Sequence, residues 1–179
     1  EVTQFQRWNR PPNSDPLAQS FFVEDANGIF LTSCDVYFAT KDDTQLPVTF
    51  QIRTMENGRP TTMVVPFAEI IKSPSEVSVS ANGSVATTFT FTSPIYLEGG
   101  TEYAIVMLSE SYKYSAIISR VGESDLITGS FIAQQPFLGS LFKSQNGSTW
   151  EPSQWEDLKF TLYRADYATT GSLQVYSPE

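Results

Sequence analysis

The chain has 179 residues, which suits a single β domain, and its formal net charge is −9. An acidic chain repels phosphate groups, so we expect no direct binding of nucleic acid. The chain contains no histidine, which removes the most common general base and the most common metal ligand. Its longest strongly apolar run, around residues 104–108, is far shorter than the roughly 20 residues of a membrane-spanning helix, so we expect no membrane insertion.

The two ends of the chain differ from its middle. Residues 1–15 show little hydrophobic periodicity and are predicted to form an N-terminal arm or linker, packed by Phe5 or Trp8. Residues 16–167 are predicted to form a β-sandwich domain, and residues 168–179 a C-terminal tail. The alternative for the tail is a last strand built on three apolar or aromatic residues, Leu173, Val175 and Tyr176.

Asn-Gly pairs separate stretches in which apolar and polar residues alternate. Asn-Gly tolerates the positive φ angles of tight turns, so each pair predicts a reversal of the chain between two strands. The alternating stretches that follow or precede these pairs include 18–23, 30–40 and 48–53. Cys34 lies in the second of them and is predicted to be a buried core residue. The four pairs are at residues 27–28, 57–58, 82–83 and 146–147.

The stretch 63–72 is ambiguous between one helical turn and a strand, and its β-branched residues favour the strand. Pro66 and Pro74 lack a backbone N–H, which predicts an edge position in the sheet. Alternation can bury only about half of the apolar residues between 64 and 71. We therefore expect this edge to leave an apolar patch for a second copy or a neighbouring protein, unless the N-terminal arm covers it.

Later stretches complete an antiparallel β protein. Phe89 and Phe91 alternate with threonines, and residues 103–108 are apolar at every position, as in a central strand or one with both faces covered. The predicted fold class is all-β, an antiparallel two-sheet β-sandwich of jelly-roll-like form. The predicted core consists of Phe50, Ile52, Phe89, Phe91, Ile105, Phe160 and Leu162.

Three aromatic residues are candidates for a carbohydrate-binding platform: Trp150, Trp155 and Tyr114. Exposed aromatic rings can stack on the apolar faces of sugar rings, and β-sandwich lectins use them in this way. The alternative is packing in the core or in loops, because Trp150 and Trp155 flank a turn that leads into an apolar strand.

Clusters of carboxylates are the other candidate chemistry. Two facing carboxylates can hydrolyse glycosides, and a group of them can hold Ca²⁺. No Asp-x-Asp-x-Asp-Gly calcium loop is present, and no histidine is available to activate a serine. We therefore interpret the clusters as solvated turns, with a structural Ca²⁺ ion as the alternative, and predict no catalytic residues, no metal site, no cofactor and no enzymatic activity. The clustered residues are Glu24, Asp25, Asp42, Asp43, Glu151, Glu156 and Asp157.

Six segments taken in order resemble a β-sandwich module that recurs in large virion structural proteins of tailed phages. The T4-like phages of marine cyanobacteria are the nearest association, and jelly-roll adhesion modules of bacterial surface proteins are more loosely similar. The resemblance covers roughly residues 15–167. Its segments are 15–21 (DPLAQSF), 31–38 (LTSCDVYF), 48–53 (VTFQIR), 88–91 (TFTF), 100–106 (GTEYAIV) and 157–164 (DLKFTLYR).

The resemblance implies a non-enzymatic component of a phage tail, baseplate or fibre, located in the virion. Its implied partners are other virion proteins or copies of itself, and it identifies no functional residues. The alternative function is a carbohydrate-binding module that recognises a glycan on a host cell surface.

Overall fold

The computed structural model describes residues 4–7, 16–125, 127–130, 132, 139–168 and 170–172. In these ranges the chain forms twelve β-strands and one short 3-10 turn, Pro74–Glu76. The strands are β1 Gln4–Arg7, β2 Leu17–Phe22, β3 Ile29–Thr40, β4 Val48–Glu56, β5 Arg59–Lys72, β6 Ala86–Leu97, β7 Glu102–Ser109, β8 Ser115–Arg120, β9 Leu141–Ser144, β10 Trp150–Ser153, β11 Glu156–Leu158 and β12 Phe160–Arg164.

The strands form two antiparallel sheets that pack against each other, which confirms the predicted all-β sandwich. Sheet I runs in the order β1-β8-β3-β12, with β11 also paired to β8 and β6 also paired to β3. Sheet II runs in the order β10-β9-β2-β7-β4-β5. Strand β5 is therefore the terminal strand of sheet II, as the prolines near it predicted.

The main core lies between the sheets. Side chains of successive strand residues point to opposite faces, so alternate residues of β4, β6 and β7 enter this core. The rings of Phe50 and Phe89 stack across the sandwich with centroids 4.8 Å apart. Of the predicted core residues, all are buried except Leu162, which is partly buried and packs against the others. Cys34 is also fully buried, as predicted.

A second apolar cluster covers the opposite face of sheet II. It consists of Ala18, Ala104, Val106, Phe142 and Trp150. The β9–β10 hairpin folds over this face, and the Arg53 side chain of β4 donates a hydrogen bond of 3.0 Å to the carbonyl of Gly147 in its turn. Strand β7 is thus apolar at nearly every position because both of its faces are covered.

Two of the four Asn-Gly pairs close hairpins within one sheet. Asn57-Gly58 joins β4 to β5 and Asn146-Gly147 joins β9 to β10. Asn27-Gly28 instead connects β2 of sheet II to β3 of sheet I, and Asn82-Gly83 lies in the loop before β6. A tight turn reverses the direction of the chain, but it does not determine whether the next strand joins the same sheet or the other one.

Part of the predicted N-terminal arm belongs to the sandwich. Residues Gln4–Arg7 form β1, which pairs antiparallel with β8 at the edge of sheet I. This segment is thus a strand and not a linker, because its backbone groups pair with those of β8. Trp8 lies outside the described residues, as does the predicted last strand around 173–176.

Candidate assembly surface

The predicted aromatic platform does not form. Trp150 is 1% exposed within the second cluster and Tyr114 is fully buried in the main core, so neither ring can stack on a sugar. Only Trp155, which is 65% exposed in the turn between β10 and β11, presents its ring to solvent. The alternative, packing in the core, is correct for Trp150, which the second cluster buries on a face of sheet II that a simple sandwich leaves in water.

The two buried rings, those of Tyr114 and Trp150, differ in their hydrogen bonding. The Tyr114 hydroxyl donates a hydrogen bond of 2.8 Å to the carbonyl of Leu46, and burial, with a smaller effect of Asp42, raises the pKa of Tyr114 to about 12. The Trp150 indole nitrogen has no hydrogen-bond partner among the described residues. Tyr114 is therefore a structural core residue, and Trp150 contributes mainly by its apolar area.

Asp42 organises its own loop. Its carboxylate accepts hydrogen bonds from the backbone N–H groups of Thr44 and Leu46 and from the hydroxyls of Thr44 and Ser111. Burial opposes the charge, but these hydrogen bonds outweigh it and lower the pKa of Asp42. These hydrogen bonds hold the Asp42 carboxylate in a fixed position within the loop.

Glu156 is the centre of a buried ion-pair cluster at the junction of β8, β9 and β11. Its carboxylate accepts hydrogen bonds from Arg120, Lys143 and Ser153. The prediction of a solvated turn is wrong for Glu156, Asp157 and Asp42, which are 4%, 1% and 3% exposed. Among the described residues, no three His, Cys, Asp or Glu side chains are grouped closely enough to hold a metal.

An open cleft of about 920 Å³ lies at the rim of sheet II. Its lining includes Pro16, Leu46, Pro47, Leu108 and Glu110. Glu110 is the one ionisable side chain among the described residues that line it. The cleft therefore does not bring together an acid and a base.

Strand β5 pairs irregularly with its neighbour β4. Its register with β4 shifts twice, once between Gln51 and Arg53 and again between Arg53 and Met55. Across each shift β5 contributes extra residues, so it bulges out of the regular ladder. Bulges of this kind re-aim side chains and are common at the edges of sheets.

The bulged edge exposes three large apolar side chains. Met63 is 69% exposed, Phe67 is 83% exposed and Ile71 is 60% exposed. Phe67 also has a φ of 63°, a conformation that costs a non-glycine residue energy. Because the Phe67 ring is exposed to solvent, its burial within this chain does not offset the energetic cost of the strained backbone. We call this surface, Met63, Phe67 and Ile71 on β5, the β5 edge.

A second exposed apolar group lies on the outer face of sheet I. The ring of Phe30 is 5.2 Å from that of Tyr96 and 5.3 Å from that of Tyr167. An exposed ion pair between Arg164 and Asp25, at 3.3 Å, joins β12 to the turn before β3. The rings are tilted or perpendicular to one another, so they form a corner and not a flat platform.

Comparison with known proteins finds no matching family model, no similar curated protein and no similar solved structure. In the described part of the chain, no helix has the length and the apolar character needed to cross a membrane.

Proposed function

We propose that the chain is a non-enzymatic structural or adhesion module of a phage virion that acts through protein–protein contacts. The contact surface is inferred from the β5 edge, where the Phe67 side chain is exposed and its backbone is strained. Proteins normally protect a terminal strand from other chains, and a large exposed apolar group on such a strand is typical of an interaction site.

The virion context is supported by the resemblance of the six ordered segments to phage structural modules. In the structure these segments fall largely on β2, β3, β4, β6, β7, β11 and β12, which form the framework of the sandwich. The non-enzymatic character is supported by the candidate carboxylates. The carboxylates of Asp42 and Glu156 are occupied by hydrogen bonds within the chain.

Immunolabelling tests the location. An antibody raised against this chain should label purified phage particles from the source of the gene, at the tail, baseplate or fibre, in electron micrographs. The same particles should contain the protein by mass spectrometry. Recovery of the protein only from the soluble fraction of infected cells, with unlabelled particles, would contradict the proposal.

The alternative function is binding of a host glycan, and the aromatic corner formed by Phe30, Tyr96 and Tyr167 is the observation that favours it. On this reading, saturable binding on a glycan array should be lost in Tyr96→Ala. The control is Phe22→Ala, an equally exposed aromatic residue on sheet II, which should bind as the unmodified chain does. Absence of saturable binding to every glycan would exclude this alternative.

A further inference from the structure

We propose that Asn57, at the tip of the β4–β5 hairpin, is a site of spontaneous deamidation, and that the fold protects the other three Asn-Gly pairs. This modification concerns the covalent stability of the chain and does not depend on the proposed function. Glycine after asparagine favours the reaction, because glycine has no Cβ to hinder attack by its own backbone nitrogen. All four pairs share this chemistry, so their local structure decides which of them reacts.

The reaction needs only water as a co-reactant. The backbone nitrogen of Gly58 loses its proton to solvent and attacks the Cγ atom of Asn57, which forms a new N–C bond. The bond between Cγ and the carboxamide nitrogen breaks, and that nitrogen leaves as ammonia after taking up a proton. Water then opens the resulting cyclic imide at either of its carbonyl groups. The products are aspartate and isoaspartate, in which the backbone runs through the side chain.

Both reacting groups are free at Asn57. Asn57 and Gly58 are exposed, with φ angles of 51° and 71°, as in a type I′ turn closed by the pair Glu56 and Arg59. In such a turn the N–H groups of the flanking residues make the hydrogen bonds. Within the described ranges, no group accepts a hydrogen bond from the Gly58 N–H and none binds the Asn57 carboxamide. The attacking nitrogen and the carbon that it attacks are therefore unrestrained by other side chains.

At Asn146 the structure holds both groups in place. The Gly147 N–H donates a hydrogen bond of 2.9 Å to the Ser144 hydroxyl. The side-chain oxygen of Asn146 accepts hydrogen bonds of 3.0 Å and 2.8 Å from the N–H groups of Ser148 and Thr149. These bonds have to break before the Gly147 nitrogen can approach the Asn146 carboxamide, so we expect the fold to slow this reaction.

The other two pairs are held by backbone turns. The Gly28 N–H donates a hydrogen bond of 2.9 Å to the carbonyl of Asp25, and the Gly83 N–H donates one of 3.3 Å to the carbonyl of Ser80. The side-chain oxygen of Asn82 also accepts a hydrogen bond of 3.1 Å from the N–H two residues further on. In both pairs the attacking nitrogen is already engaged, and the turn has to open before it can react.

Deamidation at Asn57 changes the hairpin in two ways. Either product adds a negative charge to the turn, next to Glu56. Isoaspartate also adds a methylene group to the backbone of a two-residue turn. Turn length fixes the register of a hairpin, so this product disturbs the pairing of β4 with β5, the strand that carries the β5 edge.

Peptide mapping by mass spectrometry, on the complete folded chain kept in mildly alkaline buffer, tests the proposal. Asn57 should deamidate about tenfold or more faster than Asn27, Asn82 or Asn146, because each of these three pairs first has to break its hydrogen bonds. In the chain unfolded by guanidinium chloride, all four pairs should react at similar rates. Equal rates in the folded chain, or a faster reaction at any of the other three pairs, would overturn the proposal.

Two substitutions separate the effect of structure from that of sequence. Asn57→Gly removes the carboxamide and fits the positive φ of the turn, so most of the isoaspartate, measured with an isoaspartate-specific methyltransferase, should disappear from the folded chain. Ser144→Ala removes the acceptor of the Gly147 N–H and keeps the Asn-Gly sequence, so deamidation at Asn146 should rise several-fold. Unchanged isoaspartate in Asn57→Gly would contradict the assignment of the site. An unchanged rate at Asn146 in Ser144→Ala would contradict protection by hydrogen bonds.

Discussion

Phe50→Ala should lower the free energy of unfolding by about 3–5 kcal/mol, the range for removing a fully buried aromatic side chain. Phe50 is inaccessible to solvent and lies at the centre of the sandwich. Its ring stacks on Phe89 at 4.8 Å and contacts Phe91 at 6.0 Å, and both of these residues come from the other sheet. The alanine variant loses buried apolar area and leaves a cavity where the two sheets meet.

Urea unfolding of the two proteins measures this difference, provided that both unfold in one cooperative transition. Phe22→Ala is the matched control, because Phe22 is 52% exposed. Its removal should change the free energy of unfolding by only about 0.5 kcal/mol. A loss below about 1 kcal/mol for Phe50→Ala would show that this part of the core is not packed as described.

The second large effect is a loss of folding stability at acid pH. Burial alone would raise the pKa of Glu156, but hydrogen bonds from Lys143, Arg120 and Ser153 outweigh it and lower the pKa from its ordinary value of 4.5 to about 2. The folded protein therefore holds this carboxylate in its charged form more strongly than the unfolded chain does. The resulting stabilisation is fully present above about pH 4.5 and is lost as the pH falls from there towards 2.

A pKa difference of this size corresponds to at most about 3–4 kcal/mol, and to about 1–3 kcal/mol once solvent screening of the partly exposed partners is included. Urea unfolding at several pH values between 7 and about 2.5 measures it. Glu156→Gln should be less stable at pH 7 and should depend less on pH in the acid range. Glu151→Gln, at an exposed position of the preceding strand β10, should behave as the unmodified chain does. Equal acid sensitivity of both variants would argue against the ion-pair cluster.

The sequence predicted the sandwich well where one face of a strand is buried and the other is wet. Phe89 and Phe91 of β6 alternate with exposed threonines, and their burial follows directly from that pattern. The edge position of β5 was likewise predictable, because proline cannot donate a ladder hydrogen bond.

The sequence was misleading where long-range packing overrides local pattern. Trp150 follows a polar turn, which suggests exposure, yet the hairpin folds over sheet II and buries it. Tyr114 was a candidate for an exposed ring, but it is buried in the core. There its hydroxyl donates a hydrogen bond to the carbonyl of Leu46, which is distant in sequence. The positive φ of Phe67 has no sequence signal, since phenylalanine disfavours this conformation.

Because both faces of sheet II are apolar, hydrophobicity alone cannot hold its central strands in alignment. A slip of one residue normally turns a buried face towards water, but in β7 it would only exchange Ile105 and Met107 for Ala104 and Val106. The Arg53 side chain opposes such a slip, because the slip would bury its charge. It lies opposite Ala104 and binds Gln51 at 2.8 Å, so a slipped β4 would drive its guanidinium into the space between the sheets. Arg53, together with Gln51, thus favours this alignment of β4 over one shifted by a residue.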